Sequence, residues 1–234
     1  AAIRGVEPNT DVLSPPYHTA FNDNKSMLEF ISRVRILSSG LPVGIKLCLG
    51  SKEELVSLVN TMVIENNYPD FITIDGGEGG TGAAPLTFTN NVGMPLKDAL
   101  VFANKTLVDS GLRDKIKLIA SGKATTAFDI IKLVSMGADV VNAARAFMLS
   151  MGCIQARECN LNTCPVGIAT QNKELVKGLN PEEKKVRVSK YHGAVIKELK
   201  ELLAAMGKKS ISEITSNDVF YRNENGNLDN VQQI

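Results

Sequence analysis

Along the chain, short β-branched runs alternate with glycine-rich loops and amphipathic segments. An irregular stretch over residues 1–25 contains Pro8, Pro15 and Pro16, and Ser26-Met-Leu-Glu29 then has the pattern of a capping box. Phe30, Ile31, Val34 and Leu37 recur at helical spacing until Ser39-Gly40 stops them. Val43 to Leu49 (VGIKLCL) predicts a strand. Ser51-Lys-Glu-Glu54 predicts a second capping box, ahead of the helical stripe Leu55, Leu58, Val59, Met62 and Val63. Phe71 to Asp75 predicts the next strand, and the glycine-dense loop GGEGGTGAAP follows it. Leu96, Leu100, Ala103 and Leu107 mark a helix ended by Gly111. Ile116 to Ala120 predicts a third strand. A helix runs from about Thr126 to Met136 and closes at Gly137. Ala138 to Asn142 predicts a fourth short strand, and a short helix begins near Arg145. Asn180-Pro181-Glu-Glu183 supplies an N-cap, a proline at the first helical position and an acid in the first turn of a long helix. Val188, Tyr191, Val195, Leu199, Leu202 and Met206 form its apolar face.

Apolar strands alternating with amphipathic helices predict an α/β fold, a parallel sheet covered by helices. Four βα units are countable. A closed barrel needs eight and typically about 250 residues, so the length nearly fits a barrel and the strand count does not.

The chain has 234 residues, with 26 Lys+Arg against 25 Asp+Glu and a net charge of +1. That balance gives no electrostatic reason to expect a nucleic-acid partner. The apolar share of 44% and charged share of 22% are those of an ordinary globular protein. No apolar run approaches the ~18 residues of a membrane span. The N-terminal AAIRGVEPNT has no signal-peptide apolar region, so a cytoplasmic location is expected. It also lacks an initiator Met, so the chain is expected to be processed or part of something longer. There are four cysteines, three of them within twelve residues: Cys153, Cys159 and Cys164. This local clustering points to metal or redox chemistry rather than a disulfide scaffold.

Candidate chemistry gathers at the ends of the strands. Lys46 lies within the first, Asp75 ends the second, Ser121-Gly122 follows the third and Asn142 ends the fourth. In β/α proteins such ends build the site. Gly122 and the turn into the Thr126 helix suit a phosphate, as does Ala143-Ala144-Arg145, where Arg145 adds a charged donor. The GGEGGTG loop has neither the dinucleotide fingerprint nor a P-loop lysine. It reads as backbone passing close to a flat ligand, with Asp75 or Glu78 nearby for polar contacts, or as a lid without ligand. The C-x5-C-x4-C spacing is neither a zinc ribbon nor a ferredoxin run. It leaves open an iron–sulfur cluster or three buried free thiols. Cys48 reads as a small core residue. His18, after the rigid Ser14-Pro15-Pro16-Tyr17, and His192, at the border of the long helix's apolar face, read as structural.

GGEGGTGAAP, IASGKATT and GCIQARECNLNTCPVGIATQ, in that order, resemble the FMN-binding synthase domain of the glutamate synthase family. SPPYH and VGIKLCLG match the same pattern, and the likeness is to the stand-alone archaeal and bacterial forms. It runs from about Ala2 to beyond Gly207. The resemblance implies the C-terminal half of a TIM-like parallel β/α barrel plus a C-terminal helix over residues 1–207, with 208–234 a loosely held polar tail. Half a barrel leaves open sheet edges, so an oligomer or a partner chain that completes the barrel is expected.

The implied activity is reductive amination of 2-oxoglutarate to L-glutamate through 2-iminoglutarate, with hydride from reduced FMN. Nitrogen comes as ammonia or from glutamine. Electrons arrive from ferredoxin or a reductase partner through a 3Fe–4S cluster on Cys153, Cys159 and Cys164. By position, Gly122, Lys123, Ala144 and Arg145 lie at the FMN phosphate. Lys46 lies near the flavin and the substrate carboxylate. Asp75, Glu78, Gly79, Gly80 and Thr81 border the ring and substrate, and His18 approaches the same mouth. Lys46, Glu78 and His18 are the implied catalytic residues. Two other readings stay open: a different FMN-dependent barrel oxidoreductase, and an incomplete, non-catalytic barrel that serves as an interaction subunit.

Overall fold

A computed structural model of the chain describes residues 5–12, 17–78, 87–222 and 225–231. Four strands form the main sheet: β1 (Gly44–Leu47), β2 (Phe71–Asp75), β3 (Lys117–Ser121) and β4 (Val140–Asn142). Around them run α1 (Asn24–Leu37), α2 (Lys52–Ile64), α3 (Leu96–Asp109), α4 (Ala127–Ser135) and α5 (Ala144–Ser150). The short α6 (Lys173–Val176) and the long α7 (Pro181–Ala205) follow.

The helix starts have local causes. Asp23, in extended backbone, accepts the Ser26 N–H at 2.7 Å, and Ser26 reciprocates with its hydroxyl. The capping box therefore begins three residues earlier than the sequence pattern places it, with Ser26 as its far member. Ser51 caps α2 through the Glu54 N–H, but its hydroxyl donates to Glu53 instead. Asn180 caps α7 with Pro181 in the first turn, as predicted.

All pairings in the sheet are parallel, and the order is β1-β2-β3-β4. A doubly wound sheet would reverse this order at a switch point. Consecutive parallel order is that of a β/α barrel, so the fold is α/β and matches part of one. Ile72, Ile74, Leu118 and Ala120 are buried against the helices together with Leu28, Met62, Leu100 and Leu107. The opposite face is more open: Lys46 and Val140 on it are exposed and Ile119 is half-buried, with Thr73 the buried exception. Helices thus pack one face of the sheet. No helix among the described residues is long and apolar enough to cross a membrane.

The C-terminal stretch, read from sequence as a loosely held polar tail, is packed where it is described. Two short 3₁₀ turns lead into an antiparallel hairpin, β5 (Phe220–Arg222) with β6 (Leu228–Asn230). Ile214, Val219 and Val231 are 8%, 6% and 2% exposed and join the main core. Three isolated apolar residues carry no period, which is why the pattern missed them.

At the opposite end of the sheet, two equivalent clamps appear. Asp70 faces Val43 across β1 and β2: its N–H donates to the Val43 carbonyl at 2.9 Å, and its carboxylate accepts the Val43 N–H at 2.7 Å. Arg35 donates to the same carboxylate at 3.0 Å and to the Tyr68 carbonyl at 3.0 Å. Asp139 repeats this between β3 and β4, exchanging both bonds with Leu118 at 2.8 Å. Arg113 reaches Asp139 at 2.8 Å and the Gly137 carbonyl at 2.8 Å. In both cases the arginine also takes the carbonyl two residues before the aspartate. The α1-β1-α2-β2 and α3-β3-α4-β4 units are therefore closed by the same device, a repeat the sequence does not display.

Each clamp satisfies a backbone N–H that would otherwise be left unpaired. Asp70→Ala and Asp139→Ala are each expected to lower stability in urea unfolding by about 1–3 kcal/mol. The two carboxylates share no donor, and alanine keeps the Asp70 carbonyl that the Lys117 N–H uses, so the double variant should lose the sum. A marked departure from additivity would show that the clamps are not independent.

Candidate active site

The strand ends converge as the sequence implies. Asp75 pairs in register with Ser121, and Ser121 with Asn142, so the three form one row. Lys46, opposite Thr73, places Nζ 2.9 Å from the Asp75 carboxylate. The Lys46 side chain is 63% exposed and that of Asp75 is 18% exposed. The lysine is therefore the solvent-facing member of the pair. Cys48, just past β1, is exposed rather than core. Partial burial and the nearby Asp75 and Glu78 charges push its thiol up.

Glu78 turns away from this row. Both carboxylate oxygens accept from the Leu96 N–H, at 3.0 and 2.9 Å. The N-cap residue of α3 is Pro95, which makes no side-chain cap, so Glu78 supplies the missing acceptor from 18 residues away. Gly76 and Gly77 also answer to chain packing. The Gly77 N–H donates to the Met94 carbonyl at 2.9 Å, and a Cβ on Gly77 would lie 2.6 Å from the Gly93 carbonyl. Here glycine lets two backbones cross. Gly79, Gly80 and Thr81 lie outside the described residues. The His18 ring stacks on Phe21 at 4.4 Å and tilts against Phe30 at 5.3 Å, while its Nδ1 accepts the Ala20 N–H. None of these contacts is with Lys46, Asp75 or Glu78.

The two phosphate turns differ from each other. At the start of α4, the Asp129 carboxylate already accepts the N–H groups of Thr125 and Thr126, both at 3.1 Å. It also takes both hydroxyls and the Lys132 ammonium. Burial works against its charge, but these bonds prevail and hold the carboxyl far below the ordinary carboxylate range. The N–H groups of the two residues just before this helix are therefore taken by its own acid, whereas Gly122 and Lys123 lie ahead of that stretch. At α5 the N-cap residue is Ala143, which has no capping atom. By contrast α1, α2, α4, α6 and α7 are capped by their own N-cap side chains. Ala144 and Arg145 open α5.

These turns and the cysteine loop share one cleft of about 360 Å³. Lys123, Ala144 and Arg145 line it, with Cys153, Cys159 and Cys164 and with Thr89 and Asn90. The stretch around Thr89 and Asn90 has no periodicity, so sequence reasoning gave it no role. All four cysteines are free thiols. In the loop, Gln155, Arg157 and Asn162 adopt left-handed backbone with φ of 57°, 60° and 63°. Such angles persist in non-glycine residues where surrounding structure fixes them. Asn162 is held by the Thr170 hydroxyl and the Gln171 N–H, both at 2.6 Å.

Cys164 is the most specialised of the three. It is 8% exposed, and burial alone would raise its thiol. Hydrogen bonding from the backbone N–H groups that follow it in the loop, Ala169 first among them, outweighs burial and holds the thiol below its ordinary range. A sulfur so surrounded suits a metal ligand. Among the described residues no three His, Cys, Asp or Glu side chains converge as ligands of a single ion. In a cluster each thiolate binds its own iron, and three cysteines lining one cleft are a donor set of that kind.

Asp129→Ala is expected to cost about 1–2 kcal/mol of stability at pH 7, as for lost helix caps. The folded carboxyl titrates below its ordinary 3.8, so its contribution is present above that value and lost as pH falls through the lowered one. The stability gap between variant and parent should therefore close in acid. A gap that stays constant down to low pH would refute this role.

Residues 1–209 match the family model described as a conserved region in glutamate synthase. Over 100% of its length the chain is 42% identical to the glutamate synthase large subunit-like protein YerD of Bacillus subtilis, and it spans 44% of that protein. It is 35% identical, over 93% of its length, to an archaeal glutamate synthase [NADPH] of Methanocaldococcus jannaschii, spanning 42% of it. A flavocytochrome b2 structure aligns over 79% of this chain and 36% of its own, with TM-score 0.47 and 13% identity. The chain thus spans less than half the length of these relatives. With 209 of its residues matched by the family's conserved region, it belongs to the glutamate synthase family.

Proposed function

We propose that this chain is the FMN- and cluster-binding portion of a glutamate synthase, acting in the reductive amination of 2-oxoglutarate to L-glutamate. The observation that carries this reading is the single cleft lined by both phosphate turns and all three clustered cysteines. When bound, FMN supplies the hydride for the 2-iminoglutarate formed from 2-oxoglutarate and ammonia, and a 3Fe–4S cluster relays electrons from ferredoxin or a reductase partner.

The chain's own residues divide this work. Gly122 and Ala144 offer backbone N–H groups to the phosphate, and Lys123 and Arg145 offer charge. Cys153, Cys159 and Cys164 ligate the cluster, with the Cys164 nest stabilising a thiolate. Lys46 sits on the open face, held by Asp75 until a more demanding anion arrives. It can then turn its exposed ammonium to the substrate carboxylate or to an anionic reduced flavin. Asp75 thereby presets the lysine without burying it. Glu78 works indirectly, by capping α3, and Gly79, Gly80 and Thr81 are assigned to the border of the flavin ring by the family pattern alone. His18 keeps its place in this reading from the family pattern alone, since its ring packs on Phe21 and Phe30. The open edges of β1 and β4 accept strands from the rest of the barrel. Free thiols throughout suit a reducing, cytoplasmic compartment.

The test is an anaerobic visible spectrum with iron and flavin assayed on the same sample. Flavin bands with about three irons per chain, on the thiolate-ligation argument, are expected, and Cys159→Ser should lose iron while keeping flavin. Turnover of 2-oxoglutarate and ammonia with a chemical reductant should follow the loaded fraction. A colourless chain that takes up neither group on reconstitution contradicts the proposal.

A further inference from the structure

Lys123, one of three cations lining the cleft with Arg145 and Arg157, is held by a neighbour that the function above does not use. Its Nζ donates to Asn90 Oδ1 at 3.2 Å. The Asn90 N–H in turn donates to the Gly77 carbonyl at 2.9 Å. One residue therefore ties the loop leaving β2 to the turn leaving β3. Both partners adopt left-handed backbone, with φ of 69° at Asn90 and 49° at Lys123. Asparagine, aspartate and glycine tolerate that conformation best. Glycine would leave Lys123 without its acceptor. Aspartate would give an acceptor, but its charge would neutralise the lysine and repel an anion. Asparagine alone provides an acceptor without a charge. Its Nδ2, which makes no hydrogen bond among the described residues, remains a donor facing the same ligand chemistry.

We propose that Asn90 is a positioning residue of the anion subsite: it orients the Lys123 ammonium over the cleft while leaving its positive charge undiminished. The inference rests on the reading of this cleft as a phosphate site. It adds that recognition depends on a neutral side chain at position 90.

The experiment compares the parent chain with Asn90→Asp and Asn90→Gly. Affinities for FMN and for riboflavin, which lacks the phosphate, are read from flavin fluorescence. Asn90→Asp should weaken FMN about tenfold, an effect that shrinks with added salt, and leave riboflavin unchanged. Asn90→Gly, which keeps the backbone conformation, should weaken FMN about threefold, the scale of one lost hydrogen bond, again sparing riboflavin. Equal loss of FMN and riboflavin, or unchanged FMN affinity in either variant, overturns the proposal. Inorganic phosphate separates this outcome from failure of the flavin reading. If the parent binds no FMN, yet phosphate raises the unfolding midpoint of the parent and not of Asn90→Asp, the flavin reading falls and Asn90 keeps its role. If phosphate shifts all three alike, or none, the role of Asn90 is refuted.

Discussion

Because β1 to β4 pair in parallel and in chain order, every passage from strand to helix falls at one end of the sheet. That constraint collects Lys46, Asp75, Ser121, Gly122, Lys123 and Asn142 with no long-range design of the loops. It also separates two tasks. At the far end, Asp70 and Asp139 lock adjacent strands through paired backbone bonds and an arginine from the preceding helical region. The reactive end is then left to carry exposed charge, glycines and strained backbone.

The distribution of caps refines where an anion can sit. Each helix start is a potential anion site, because its first N–H groups lack partners. At α4 the Asp129 carboxylate takes the N–H groups of the two residues leading into the helix, and at α3 Glu78 takes the first helical one. The start of α5 has no side-chain cap from Ala143, and it faces the cleft that Lys123 and the cysteines share. At Cys164 the same logic holds for a sulfur: backbone N–H groups of the following residues lower the thiol against the effect of burial.

Much of this was legible in the sequence, for identifiable reasons. The four strands fall within a few residues of their predicted limits, because β-branched runs bounded by glycine have few alternatives. The six apolar positions predicted on α7 are all half-buried, since a period of 3.6 survives over a long helix. What escaped depends on contacts distant in sequence. Glu78 looked like site chemistry because nothing local reveals that Pro95 leaves α3 uncapped. Glycines 76 and 77 looked like room for a ligand, whereas the Glu78 and Leu96 side chains pack against Gly76 and the backbone of Val92 and Gly93 crosses at Gly77. Asp129 lies in plain view as the far member of a capping box, a pattern that places its carboxylate in the turn before α4. Asn90 had no signal of its own beyond an asparagine in an irregular stretch.

The central claim is that the phosphate turns and the cysteine loop form one site. Alkylation of Cys153 and Cys159, followed residue by residue by mass spectrometry in the iron-free chain with and without FMN, tests it most directly. Flavin phosphate seated against Lys123 and Arg145 should slow modification of both cysteines several-fold, in the range expected when a ligand occludes a reactive thiol. Unchanged rates at both thiols, with FMN demonstrably bound, would mean that the two features merely lie near each other and serve separate ends.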